Sequence, residues 1–109
     1  MDLYHTTDMH GISELNPSVA RMDELIEQLD EPSIDEAAHP DLALVHDASG
    51  WSITLYPSGI ATLENFEHAD DAPRYLRDVT RDNALLLWRA LSRGEIDALL
   101  QHPWQRNQR

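Results

Sequence analysis

The sequence predicts an α+β fold: a two-layer sandwich in which an antiparallel sheet of about four strands carries helices on one face. Three observations predict it. One stretch of helical apolar spacing lies near the start of the chain. Four strand-like segments then follow between residues 42 and 79, and two more helical stretches close the sequence. The connections between the strands are too short for crossovers, so the strands must pair antiparallel. A sheet with one apolar face then needs the helices as its cover.

Residues 1–15 show no clear periodicity and are expected to form an irregular N-terminal arm. Asn16 can cap a helix and Pro17 suits its first position. Val19, Met22, Ile26 and Leu29 recur at three- and four-residue steps with Leu25 beside them, which makes one apolar face. Arg21, Glu24, Glu27 and Gln28 fall outside that stripe, and Pro32 stops the helix. Asp30 and Glu31 sit where the helix dipole disfavours negative charge, so this end frays unless a partner or an arginine neutralises it. Residues 32–40 read as a connector: Ser33 and Glu36 have capping-box spacing, but His39-Pro40 leaves room for little more than one turn.

Leu42, Leu44 and His46 alternate with Ala43 and Val45 as in a strand, and Asp47-Ala48-Ser49-Gly50 is turn chemistry. The most specific local signal is 51–65. Pro57 presets a type I turn and Gly59 supplies the left-handed residue of a three-residue hairpin loop. That register pairs Tyr56 with Ile60, Thr54 with Thr62 and Ser52 with Glu64. It gathers Trp51, Ile53, Leu55, Ala61 and Leu63 on the other face, and a one-residue slip would mix the two faces. Glu67 to Pro73 is a polar loop, and Arg74–Val79 adds the fourth strand. Thr80 caps the next helix, whose buried stripe is Ala84, Leu87, Trp88 and Leu91, with Arg93-Gly94 at its end. Residues 95–101 form a second short helix through Ile96, Leu99 and Leu100, Pro103 ends it, and Trp104 folds back onto the core. A single domain over 16–104 with a polar tail at 105–109 is expected.

With 109 residues, 41% hydrophobic and 26% charged, the chain is long enough for one core and is not compositionally disordered. There is no cysteine, which excludes disulfides, thiolate metal sites and a thiol nucleophile. The opening Met1-Asp2-Leu3-Tyr4-His5 lacks the basic and apolar regions of a signal peptide, and no apolar run approaches a membrane span. A cytoplasmic bacterial protein with no membrane partner fits. The net charge of −12 is lopsided: residues 1–71 hold 16 carboxylates and one arginine, and residues 72–109 hold 4 carboxylates and 7 arginines. Such a surface disfavours direct nucleic-acid binding and favours a basic protein partner. Arg77, Arg81, Arg89 and Arg93 are expected to answer acids of the first half.

Six histidines invite a metal reading, for which His46, His68 and Asp70 are the residues to test, but no HExxH-like spacing occurs. Ser49 and Ser58 lie in turns and not in a nucleophile elbow, and no phosphate-binding glycine pattern exists. No cofactor is expected. On the outer hairpin face Tyr56 beside Ile60 makes an aromatic–aliphatic pair of the kind found at interfaces.

The stretch Ser49-Gly50-Trp51 through Tyr56-Pro57-Ser58-Gly59 to Glu64-Asn65, followed by Leu87-Trp88 and Arg93-Gly94-Glu95-Ile96, resembles small acidic bacterial proteins of no assigned activity. In broad outline it is similar to immunity proteins of bacterial toxin systems. That resemblance implies a non-enzymatic module that binds a basic partner. The residues expected to carry the binding are Glu24, Glu27, Asp30 and Glu31, with Tyr56 and Ile60. Two alternatives stand beside it: a metal-dependent or small-ligand enzyme at His46, His68 and Asp70, and a dimeric structural or regulatory protein pairing through Tyr56 and Ile60.

Overall fold

The N-terminal residues are not an irregular arm. In the computed structural model, which describes residues 3–30, 41–65, 67 and 73–106, they form a hairpin of β1 (Tyr4–Thr7) and β2 (Ser13–Leu15). Its loop is held by Asp8, whose carboxylate accepts the backbone N–H groups of His10 and Ile12, both at 2.9 Å, while Gly11 takes φ +79°. Asx turns of this kind replace the ladder bonds that a tight turn gives up.

The first helix, α1 (Val19–Glu27), starts two residues later than the Asn16 cap would place it. Ser18 is the cap, its Oγ accepting from Arg21 N–H. Asn16 does a different job: at φ 48° it turns the chain and its Oδ1 accepts Tyr4 N–H at 2.9 Å. Met22, Leu25, Ile26 and Leu29 are buried as the spacing requires, but Val19, on the first turn, is exposed. The helix tightens into a 3-10 turn over Gln28–Asp30. The connector at 32–40 and most of the polar loop at 67–73 lie outside the described residues.

Five more strands follow: β3 (Leu42–His46), β4 (Trp51–Leu55), β5 (Ala61–Asn65), β6 (Arg74–Leu76) and β7 (Gln105–Arg106). The sheet therefore has seven strands among the described residues and not four, in the order β2-β1-β3-β4-β5-β6-β7, each pair of neighbours antiparallel. The extra strands are the N-terminal hairpin and the start of the expected tail, which pairs with β6. The β4–β5 hairpin has the register the turn chemistry demands, with Ser52 opposite Glu64 and Thr54 opposite Thr62. Gly59 sits at φ +87° in its loop. Tyr56 N–H donates to Ile60 O at 2.9 Å and Gly59 N–H to Tyr56 O at 3.1 Å.

Thr80 caps α2 (Arg81–Ser92) through its hydroxyl, and Ala84, Leu87, Trp88 and Leu91 are its buried residues. The short α3 (Ile96–Leu100) buries Leu99. Trp104 returns to pack against the core and donates its indole N–H to Leu99 O at 2.6 Å. One cluster of buried side chains joins these helices to alternate residues of the sheet, among them Leu42, Leu44, Ile53, Leu55, Ala61 and Leu63. Pleating sends the intervening residues to the opposite, outer face. Among the described residues, no helix is long and apolar enough to cross a membrane.

Candidate functional site

The acidic residues of α1 divide into two kinds. Arg21, the one basic residue of the first 71, donates to Glu14 at 2.7 Å and 2.9 Å and to Glu24 at 3.1 Å. Its hydrogen bonds hold the Glu14 carboxyl below the usual glutamate range, and those carboxylates in turn push the Arg21 guanidinium upward. Asp30 is answered from 51 residues away: Arg81, in the first turn of α2, donates to it at 2.9 Å and to Pro57 O at 3.1 Å. That bond holds the Asp30 carboxyl below the usual aspartate range. It also removes the unfavourable meeting of a carboxylate with a helix C-terminus. Two of the four expected acidic contacts, Glu24 and Asp30, are thus joined to arginine. Glu27 is exposed and makes no ion pair among the described residues, nor does Asp23, exposed four residues earlier on the same helix. Glu31 lies outside the described residues.

Tyr56 and Ile60 stand at the end of the β4–β5 hairpin on the outer sheet face, both half-buried. Burial raises the Tyr56 hydroxyl above the ordinary tyrosine value, and the negative charges of Asp41 and Glu64 raise it further, against a lowering hydrogen bond with Thr62. The strand register continues the face sideways, with Thr7, Ala43, Thr54, Thr62 and Tyr75 in one row. Two shallow grooves flank its centre. One, of about 180 Å³, is lined by Thr7, Asp8, Gly11, Asp41 and Ala43. The other, of about 360 Å³, is lined by Ile60, Thr62, Pro73, Arg74, Tyr75 and Arg77. The Arg77 guanidinium lies 5.5 Å from the Tyr75 ring centre, within cation–π range.

His46, the first of the expected metal ligands, points to the core side with 3% exposure. Its Nδ1 and Ser49 Oγ share a 2.6 Å hydrogen bond. A serine–histidine contact invites a nucleophilic reading, but this one closes the β3–β4 turn: Ser49 Oγ also accepts Trp51 N–H, and Ser49 and Gly50 N–H both donate to His46 O. Asp47 points to the other side, 3.1 Å from His5 Nδ1. His68 and Asp70 lie outside the described residues. No group of three or more metal-ligating side chains occurs among the described residues. The turn role of Asp8, the approach of Arg74 to within 5.7 Å of the Trp51 ring centre and the His5–Asp47 pair emerge in the fold. The Asp8-x-x-Gly11 spacing was a usable turn signal, whereas the other two depend on strand register.

No protein family, curated protein or solved structure matches the chain.

Proposed function

We propose that this is a cytoplasmic bacterial interaction module without enzymatic activity, of the immunity or inhibitor type. It is a two-layer sandwich whose helices cover one face of the sheet, and the acidic side of α1 receives a basic partner. The observation that carries this reading is the pair Asp23 and Glu27, both exposed and neither joined to an arginine among the described residues. Like charges one helical turn apart destabilise a helix by about 0.2–0.5 kcal/mol. A basic surface laid across them turns that repulsion into attraction, and the net charge of −12 speeds its approach.

The experiment is affinity capture at low and moderate salt with the wild-type chain and with Asp23→Arg/Glu27→Arg, identifying what binds and using cytochrome c as a generic basic control. A single basic protein held by the wild type at moderate salt and lost by the double variant supports the reading. A partner held equally by both, or binding no more selective than that of cytochrome c, overturns it.

A further inference from the structure

The outer sheet face is unusual for an acidic protein because its middle carries no charge. The row running from Ser13 on β2 through Ala43 and Thr54 to Gln105 on β7 is uncharged throughout, in a chain of which 26% of residues are charged. The residues between its ends are half-buried. Loss of charge at the centre with aromatic residues beside it is the composition of an interface core. A surface that only meets water has charges of both signs interspersed through such positions.

At the Tyr56 end of the face two grooves of opposite charge sit to either side of β4, while Glu64 of β5 stands on the far side of the uncharged row, opposite Ser52. On the β1–β3 side the smaller groove holds Asp8 and Asp41. On the β5–β6 side the larger groove holds Arg77, which makes no ion pair among the described residues; Arg74, opposite Leu63 in the register, belongs to the other face, beside Trp51. β4 is the middle strand of the seven.

We propose that the outer sheet face docks a second copy of this chain about a two-fold axis that lies between the two sheets and runs along β4. Such an axis exchanges β3 with β5 and β1 with β6. Arg77 of one copy then lies over the Asp8–Asp41 groove of the other, and the same contact recurs on the far side, as an isologous interface requires. Thr62 meets Ala43, Tyr75 meets Thr7, and Thr54 and Tyr56, on the axis, meet their own counterparts. The patch spans six strand spacings of ~4.8 Å and a few residues along each strand. That gives on the order of 1,000 Å² of total buried area, the range of weak and reversible association. The mutual repulsion of two chains of charge −12 acts in the same direction, so the dimer forms at micromolar concentration and needs moderate salt to screen the long-range term. This surface is separate from the acidic side of α1, although both readings place the helices on one side of the sheet.

The test is sedimentation equilibrium at about 0.15 M salt, where the screening length is about 8 Å. The wild-type chain is expected to dimerise at micromolar concentration. Thr54→Arg puts like charges on the axis and should leave a monomer of nearly unchanged Tm. Arg77→Asp and Asp41→Arg should each weaken the dimer about tenfold or more, and the two combined should recover most of the loss, because the pair is restored with its signs exchanged. Asp23→Arg/Glu27→Arg should leave the dimer as it was, which separates this proposal from the α1 reading. A monomeric wild type throughout that range overturns the proposal. So does a dimer indifferent to Thr54→Arg, or charge reversals whose effects simply add.

Discussion

Arg81 and Asp30 tie three elements together. The guanidinium reaches the carboxylate that closes α1 at 2.9 Å and the Pro57 carbonyl of the β4–β5 loop at 3.1 Å, while its own residue opens α2. The contact is half open to water, so its worth lies in fixing the order of these three pieces more than in net energy. Glu14 and Asp30 both have carboxyl groups held below their ordinary values by arginine. A group so lowered adds stability above its unfolded pKa and loses it as pH falls through the folded one. The wild type should therefore lose stability below about pH 4. Arg81→Ala and Arg21→Ala should each flatten that acid limb while moving the Tm at pH 7 only a little. Urea midpoints between pH 2 and 7 measure both; an acid limb of unchanged slope in the double variant would count against the assignment.

Trp88 is the structural centre of the helix–sheet contact. It is fully buried, and its indole N–H donates to the Ile53 carbonyl at 3.3 Å. Trp88→Phe keeps most of the apolar volume and removes one hydrogen bond, leaving the Ile53 carbonyl its ladder partner on β3, which costs about 0.5–1.5 kcal/mol. Trp88→Ala adds a cavity, for a total of about 3–5 kcal/mol. Denaturant unfolding followed by far-UV circular dichroism should place the two variants in that order. Equal losses would mean that the cavity adds nothing beyond the loss that the two variants share.

Trp88 also shows what a sequence can reveal. Its stripe with Ala84, Leu87 and Leu91 is legible because each residue repeats the same apolar demand at helical spacing, and the hairpin is legible because Gly59 and the side-chain pattern independently require one register. Tyr4–Thr7 and Ser13–Leu15 escape detection for the opposite reason. These strands are three and four residues long, and Thr6 and Glu14 point to the covered side of the sheet in place of an apolar pair. Gln105-Arg106 becomes a strand only because β6 offers it an edge. The candidate site behaves likewise. Acidic α1 residues are visible in the sequence, but Arg81 and Asp30 are 51 residues apart, and nothing local predicts their meeting. Strand alternation turns the His46 ring inward to Ser49, an orientation set by β3 and the turn after it.

Gly50 and Gly11 allow a controlled comparison of backbone strain. Both lie at positive φ, +78° and +79°. A Cβ at Gly11 would meet nothing within 4 Å, whereas one at Gly50 would come 2.8 Å from Glu67 Cγ and 3.1 Å from Asn65 Oδ1. Gly11→Ala should show the conformational cost alone, about 1 kcal/mol. Gly50→Ala should cost more, because Asn65 is buried and its Oδ1 already accepts Glu67 N–H at 2.8 Å. Thermal melts of the two variants check this. Equal shifts would mean that the Glu67 side chain moves aside and that Asn65 does not resist.

Tyr56 offers a direct reading of the field on the outer face. Its hydroxyl is raised first by burial and then by Asp41 and Glu64. Ultraviolet titration should show a tyrosine step above the ordinary value, and Tyr56→Phe should delete that step. Glu64→Gln and Asp41→Asn should each bring it back towards about 10 without abolishing it, because burial remains. A folded value above the unfolded one means that the native state keeps its proton longer, so stability is whole below about pH 10 and falls as pH rises beyond it. Tyr56→Phe should remove this part of the alkaline loss. In the dimer, two Tyr56 rings meet on the axis and are buried further. The late step should then move upward with protein concentration in the wild type and stay fixed in Thr54→Arg; a step at the same pH in both, at every concentration, would separate Tyr56 from the contact between copies.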